Sequence, residues 1–177
     1  MTDRTLPGTR REVVLGLARA AGVTPVVLGL LEGTAQALPR GESSDIAILS
    51  AALALENQAI AIYDHGSRHN LIPAGLRHYA VEFRGDHLGH RDTQIAVLEE
   101  RGGKAPEAFA ESAVRSVAAG DDWIRQALTI EIAAQDAYGA LISQIRTKDY
   151  LLSAAFILVD EIRHMTVWRR VLGLKIY

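Results

Sequence analysis

The chain has 177 residues, enough for one domain or one domain plus a short leader. With 49% apolar residues, only 6% aromatic residues and abundant Ala, Leu and Ile, it can bury a sizeable core and favours helices over a sandwich or barrel. A net charge of −2, with Lys and Arg scattered among Asp and Glu, leaves no footprint for nucleic acid, and the lack of cysteine excludes disulfides, thiolate metal sites, iron–sulfur clusters and Cys nucleophiles.

In the first forty residues, Arg10-Arg11 precede a moderately apolar run, and Ala35-Gln36-Ala37 supplies a small-residue A-x-A. This order resembles a twin-arginine export signal with cleavage near Ala37. The resemblance implies a leader over residues 1–37, a mature domain over 38–177 and a periplasmic or other extracytoplasmic location. The other reading is a pair of amphipathic helices broken at Pro25, an N-terminal helical extension of a cytoplasmic protein. Arg19 and Glu32 inside the apolar run favour that alternative. No stretch here reaches about 18 uninterrupted apolar residues, so no stable transmembrane span is expected.

Four long helical runs follow. The first opens at Ser43, Ser44 or Asp45, any of which could cap it, and reaches about Gly66. The second follows Pro73, a residue suited to a first turn, and stops at Gly102-Gly103. The third starts after Gly120 with Asp121 or Asp122 as cap and extends to about Arg146. The fourth follows Asp149 and ends near Gly173. Short connections make each pair an antiparallel hairpin. The long stretch between the second and third helices, with a short helix expected from Pro106, is a crossover that sets those two helices parallel.

The two hairpins repeat each other. Glu56 and Glu131 are each followed seven residues later by a tyrosine, Tyr63 and Tyr138. "GDHLGHRD" (85–92) and "VDEIRHMT" (159–166) align with an offset of 74, pairing His87 with Glu161 and His90 with His164. Glu56 shares its helical face with Leu49, Ala52, Leu53, Ile60 and Tyr63, and Glu131 shares its face with Ile124, Leu128, Ala134 and Tyr138. A carboxylate on such a face costs several kcal/mol unless its charge is compensated. These faces carry no Lys or Arg, so a divalent cation is the expected partner. Residues i and i+3 project from one side of a helix, so each His-x-x-His or Glu-x-x-His pair can grip one centre. Without thiolates, the donors suit iron, manganese or zinc.

This constellation resembles the ferritin-like di-iron carboxylate superfamily, in which one Glu from each of two helices meets Glu-x-x-His from each of the other two. The likeness runs from about Ser43 to Gly173 and is strongest to small exported bacterial ferritin-like domain proteins. It implies an all-α, ferritin-like four-helix bundle binding one or two iron ions. Glu56 and Glu131 would then be terminal ligands, His90 and His164 the nitrogen ligands, and Glu161 a bridge. His87 stands where the second bridging Glu is expected. Its neutral imidazole adds no charge, which leaves one ion or two unequal ones, unless Asp86, Glu82 or an external anion supplies the missing charge. Asp86 and Asp160 also suit the role of hydrogen-bond partners to an imidazole N–H.

Bland readings cover the other polar and aromatic residues. His65 and His69 read as exposed or as partners of the helix C-terminus rather than as a metal site. His78 reads as surface, and Trp123 and Trp168 as packing residues. Tyr63 and Tyr138 read as core residues with bonded hydroxyls, with a hydrogen bond to the ligands or an electron relay as the functional alternative. Gln135 lies one turn from Glu131 and could touch a ligand, although Ile60 fills the matching place in the other hairpin.

Three functions follow in order. The first is iron or oxidant handling outside the cytoplasm. The second is a non-enzymatic structural or partner-binding bundle with a vestigial or single-metal site. The last is a one-zinc hydrolase, which lacks an evident general base. The sequence leaves a homo-oligomer open, though nothing marks the contacts of a storage shell.

Overall fold

The computed structural model of the protein describes residues 42–143, 145 and 147–176. The expected leader, the side chains of Ser43 and Ser44, and the expected helix end at Arg146 fall outside the described residues. The described residues form four α-helices: α1 (Glu42–Arg68), α2 (Arg77–Glu100), α3 (Asp121–Ile142) and α4 (Lys148–Val171). The described residues contain no strand.

The helix ends have local causes. α1, α2 and α4 each stop at a residue with positive φ: Asn70 (55°), Gly102 (72°) and Gly173 (66°). In each case the next residue's N–H reaches back to the helix, Leu71 to Gly66 O, Gly103 to Leu98 O and Leu174 to Arg169 O. This is the Schellman arrangement, which satisfies otherwise orphaned carbonyls. Pro73 does not open α2; it precedes a single 3₁₀ turn, Ala74–Leu76, and the α-helix begins at Arg77. Neither Asp121 nor Asp122 caps α3. Gly120 takes the cap position, and the two acids lie in the first turn, where they face the positive end of the helix dipole. Asp45 is likewise not a cap. It is buried and accepts hydrogen bonds from the Thr147 N–H (3.1 Å) and hydroxyl (2.8 Å), tying the start of α1 to the start of α4. The helix expected from Pro106 is absent; the crossover carries only a 3₁₀ turn, Glu111–Ala113.

The crossover sets the topology. Gly103 at its start packs beside Ile46, near the beginning of α1, whereas the Gly120 N–H at its end bonds to Leu71 O, just past the end of α1. It therefore returns along the bundle, and α3 runs parallel to α2. Val114 and Phe109 pin it onto Leu55, Ala59 and Ile62 of α1, and Gln126 Nε2 on α3 donates to Arg115 O at 2.9 Å.

Two cores fill the ends of the bundle. An aliphatic one gathers Ile48, Leu53, Leu98, Leu141 and Ile157. An aromatic one gathers Tyr63, Phe83, Trp123 and Trp168. Each fully buried large side chain adds roughly 1.5–3 kcal/mol. The close packing of Trp123 on α1 needs Gly66, since a Cβ there would lie 2.1 Å from the indole nitrogen. By length and mean hydropathy α1 passes for a membrane span, but 78% of that window is buried inside the bundle, which is the pattern of a core helix. Between the two cores lies the polar cluster.

Candidate metal centre

Each of the four helices contributes to one buried cluster. Glu56 comes from α1, His87 and His90 from α2, Glu131 from α3, and Glu161 and His164 from α4. All but His90 are 0–1% exposed, and the His90 side chain is 11% exposed. Their donor atoms form two overlapping groups, Glu56–His87–His90–Glu161 and His87–Glu131–Glu161–His164, each within a span of 4.8 Å. His87 and Glu161 belong to both.

His87 lies among the three carboxylates. Its Nδ1 is 2.8 Å from Glu56 Oε2 and 3.6 Å from Glu161 Oε1, while its Nε2 is 3.4 Å from Glu131 Oε1. His90 Nδ1 lies 3.6 Å from Glu56 Oε2 and 3.5 Å from Glu161 Oε1. His164 Nδ1 lies 3.4 Å from Glu131 Oε2.

The surrounding residues exchange partners between hairpins. Tyr63 on α1 donates its hydroxyl proton to Glu131 on α3, and Tyr138 on α3 donates to Glu56 on α1. Behind them, Trp168 Nε1 donates to the Tyr63 oxygen (2.8 Å) and Gln94 Nε2 to the Tyr138 oxygen (2.6 Å). Asp86 on α2 takes His164 Nε2 of α4 at 3.1 Å, and Asp160 on α4 takes His90 Nε2 of α2 at 3.3 Å. A carboxylate on Nε2 fixes the ring orientation and leaves Nδ1 facing inward. Arg163 closes the outside, reaching Asp86 (2.5 Å), Glu82 (3.2 Å) and Asp160 (3.7 Å).

These contacts decide between several of the sequence readings. Asp86 and Glu82 do not supply the missing fourth carboxylate: the first holds His164, and the second is half exposed and paired with Arg163. Gln135 touches no ligand and bonds Asp136 Oδ1 at 3.0 Å. Trp168 packs and also donates to Tyr63. Gln94 and Arg163 carry parts of the cluster that sequence reasoning missed. For Gln94 a signal existed, because it lies 74 residues before Trp168, the same offset that pairs His90 with His164. His65 and His69, read as exposed or as partners of the helix C-terminus, both face Glu111, with the His69 side chain 53% exposed and that of His65 13%.

Histidines offset part of the buried charge. Burial pushes the Glu56 carboxyl up, but His87 and His90 outweigh it and hold it at about 2. Burial likewise raises Glu131, and the His87 and His164 rings bring it well below the usual range. Burial lowers His87, yet the Glu161 and Glu131 carboxylates, with Glu56, raise it well above the ordinary imidazole value. His90, depressed by burial, is lifted to about 10 by Glu161 and Glu56. Burial drives the Glu161 carboxyl well above the usual range against the pull of the His87 and His90 rings, and Glu131 and Glu56 add to the rise. In the metal-free chain the His87 and His90 rings and the Glu56 and Glu131 carboxylates therefore favour one another's charged forms. The expectation of a divalent cation, drawn from the lack of Lys and Arg on these faces, left out the charge that the ligand histidines can carry beside Glu56.

A pH dependence follows for the chelator-treated protein. His90 sits at about 10 against an ordinary 6.5, so its stabilisation is complete below 6.5 and is lost as pH rises through about 10. Glu56 sits at about 2 against an ordinary 4.5, so its stabilisation is complete above 4.5 and is lost as pH falls through about 2. Urea unfolding is expected to give its highest midpoint between pH 4.5 and 6.5. A midpoint still climbing at pH 9 would contradict this charge assignment.

The cluster has the donors a metal needs. His90 Nδ1, His164 Nδ1, Glu131 Oε2 and both Glu161 oxygens are buried with no hydrogen-bond partner. Buried polar atoms without a partner are rare and expensive, about 1–3 kcal/mol each. Here they converge on two points in a mixed carboxylate and imidazole set, which fits iron, manganese or zinc.

Comparison with known proteins agrees with this picture. The profile of a family described as "Ferritin-like domain" matches residues 44–174. A crystal structure of a conserved hypothetical protein, rv2844, from Mycobacterium tuberculosis is similar, with 30% sequence identity and a TM-score of 0.67. The match covers 74% of this chain and 98% of that one. No curated protein shows significant similarity. With four helices, a long crossover and a buried His/Glu cluster where they converge, the chain belongs to the ferritin-like domain family.

Proposed function

We propose that this chain is a ferritin-like metalloprotein that binds iron, as one ion or two, in its bundle core and handles iron or its oxidants. The observation that carries the reading is the pair of donor groups sharing Glu161 and His87, with five donor atoms lacking any hydrogen-bond partner. Manganese and zinc satisfy the same donors; membership of the ferritin-like domain family supports iron.

Bound iron would supply one-electron chemistry toward oxygen or peroxide. The chain contributes position and charge. Glu56, Glu131 and Glu161 provide the anionic oxygens, and Asp160 and Asp86 turn the His90 and His164 rings so that Nδ1 faces inward. Tyr63 and Tyr138 keep their protons, because burial and the neighbouring Glu131 and Glu56 raise them well above the usual phenol range. Each hydroxyl thereby restrains one carboxylate. A pocket of about 310 Å³, lined by Gly89, His90, Thr93, Phe156 and Asp160, opens beside His90 and offers small molecules a route to the less buried half.

Loading the chelated protein with Fe(II) and admitting air is expected to give near-stoichiometric bound iron and a ferric absorption band. A chain that retains no iron would return the function to a metal-free structural or partner-binding bundle. That second reading is favoured by one observation, the His87 and His90 rings lying 2.8 Å and 3.6 Å from Glu56, where they can offset its charge without a metal. Action outside the cytoplasm rests on Arg10-Arg11 and on Ala35-Gln36-Ala37, the features of a twin-arginine leader. The N-terminal sequence of the native protein tests it: a start near Leu38 supports export, and retention of Arg10-Arg11 opposes it.

A further inference from the structure

A second set of donors lies away from the core. His65 belongs to the last turn of α1, and His69 is the residue just beyond its end. Their rings lie 4.3 Å apart between centroids. Glu111, from the 3₁₀ turn of the crossover, faces both: its Oε1 is 3.4 Å from His65 Nδ1 and 3.6 Å from His69 Nε2. All three donor atoms lie within 4.8 Å of one another. At about 1.5 Å rise per residue, His65 is roughly 13 Å along α1 from Glu56, so the core cluster cannot share these donors.

The spacing separates a metal site from an ordinary ion pair. An N–H···O bond places its heavy atoms about 2.7–3.2 Å apart. Ligands about 2.0–2.1 Å from a tetrahedral zinc ion lie roughly 3.3 Å from each other. The two His–Glu111 distances are long for the first and close to the second. His65 Nδ1 is moreover buried and has no hydrogen-bond partner. Arg68 pairs with Glu111 through Oε2, which orients the carboxylate and leaves Oε1 toward the histidines. The packing of Val114 and Phe109 on α1 holds the turn in place, so the donors are positioned before any ion arrives.

We propose that His65, His69 and Glu111 form a second, surface site for a divalent metal ion of the zinc class, clipping the crossover to the C-terminal end of α1. Two imidazoles and one carboxylate complete three corners of a tetrahedron, and water takes the fourth. This site does not depend on the core cluster being loaded.

Equilibrium dialysis of the full chain against zinc chloride tests the assignment. Wild type is expected to bind one more zinc per chain than His69→Ala and one more than Glu111→Gln. The His69 side chain is 53% exposed, so its loss should leave melting in chelator unchanged. Zinc should also slow proteolytic cutting between residues 103 and 113 in wild type and not in His69→Ala. Glu161→Gln, which disables the core, should keep this zinc. Equal zinc counts in wild type and His69→Ala, or cutting indifferent to zinc, would overturn the proposal.

Discussion

Replacing Glu161 with Gln is expected to abolish metal binding in the core, whereas Glu56→Gln and Glu131→Gln are each expected to spare the group they do not belong to. Glu161 is common to both donor groups, and neither of its oxygens has a hydrogen-bond partner. The amide keeps the shape and removes the anion. Loss of an outer partner such as Asp160 typically weakens a metal site about 10–100-fold, so loss of a shared ligand should exceed that. Because burial penalises a charged Glu161 and holds its carboxyl well above the usual range, a neutral amide there should melt no lower than wild type without metal, separating a binding defect from a folding one. Metal analysis of all three variants reads the result. Undiminished iron in Glu161→Gln would refute the shared-ligand assignment.

His87→Glu is expected to move metal affinity and metal-free stability in opposite directions. In the metal-free chain, His87 touches Glu56 at 2.8 Å and also faces Glu131 and Glu161, so its imidazolium offsets the carboxylates. A fourth carboxylate there would leave the core with uncompensated negative charge. Breaking a buried charge pair costs about 3–5 kcal/mol, so the chelated variant should unfold at clearly lower urea or temperature. With metal present the sign reverses, because four carboxylates match two divalent ions where three do not, and affinity should rise by about tenfold or more, roughly 1.4 kcal/mol. Paired melts, with chelator and with Fe(II) or Mn(II), measure both effects. A variant that gains no affinity would show that His87 itself ligates as effectively as a carboxylate. One that loses no stability in chelator would show that the imidazolium does not balance the core.

The repeat made much of this cluster legible before any coordinates. Two buried glutamates and two i, i+3 pairs keep step at offsets of 74 and 75 residues, which chance polar substitutions do not do. The same offset also related Asp86 to Asp160 and Gln94 to Trp168. An offset identifies equivalent residues, however, and not the residues that meet. Tyr63 follows Glu56 on the same helix yet serves Glu131, and Asp86 is one residue from His87 yet holds His164 on α4. Asp45 was misjudged as a cap for a related reason: its partner, Thr147, lies 102 residues away.

Four helices, the long return between the second and third, and the apolar faces carrying Glu56 and Glu131 were readable from local pattern, because helical periodicity and Gly-terminated ends act over a few residues. Long-range packing brought the histidines against the buried carboxylates, made the hairpins exchange hydrogen bonds, and set Glu111 of the crossover against His65 and His69. Those outcomes depend on distances of 3–4 Å between residues far apart in the chain, and electrostatic interaction at that range is set by packing, which local pattern does not encode.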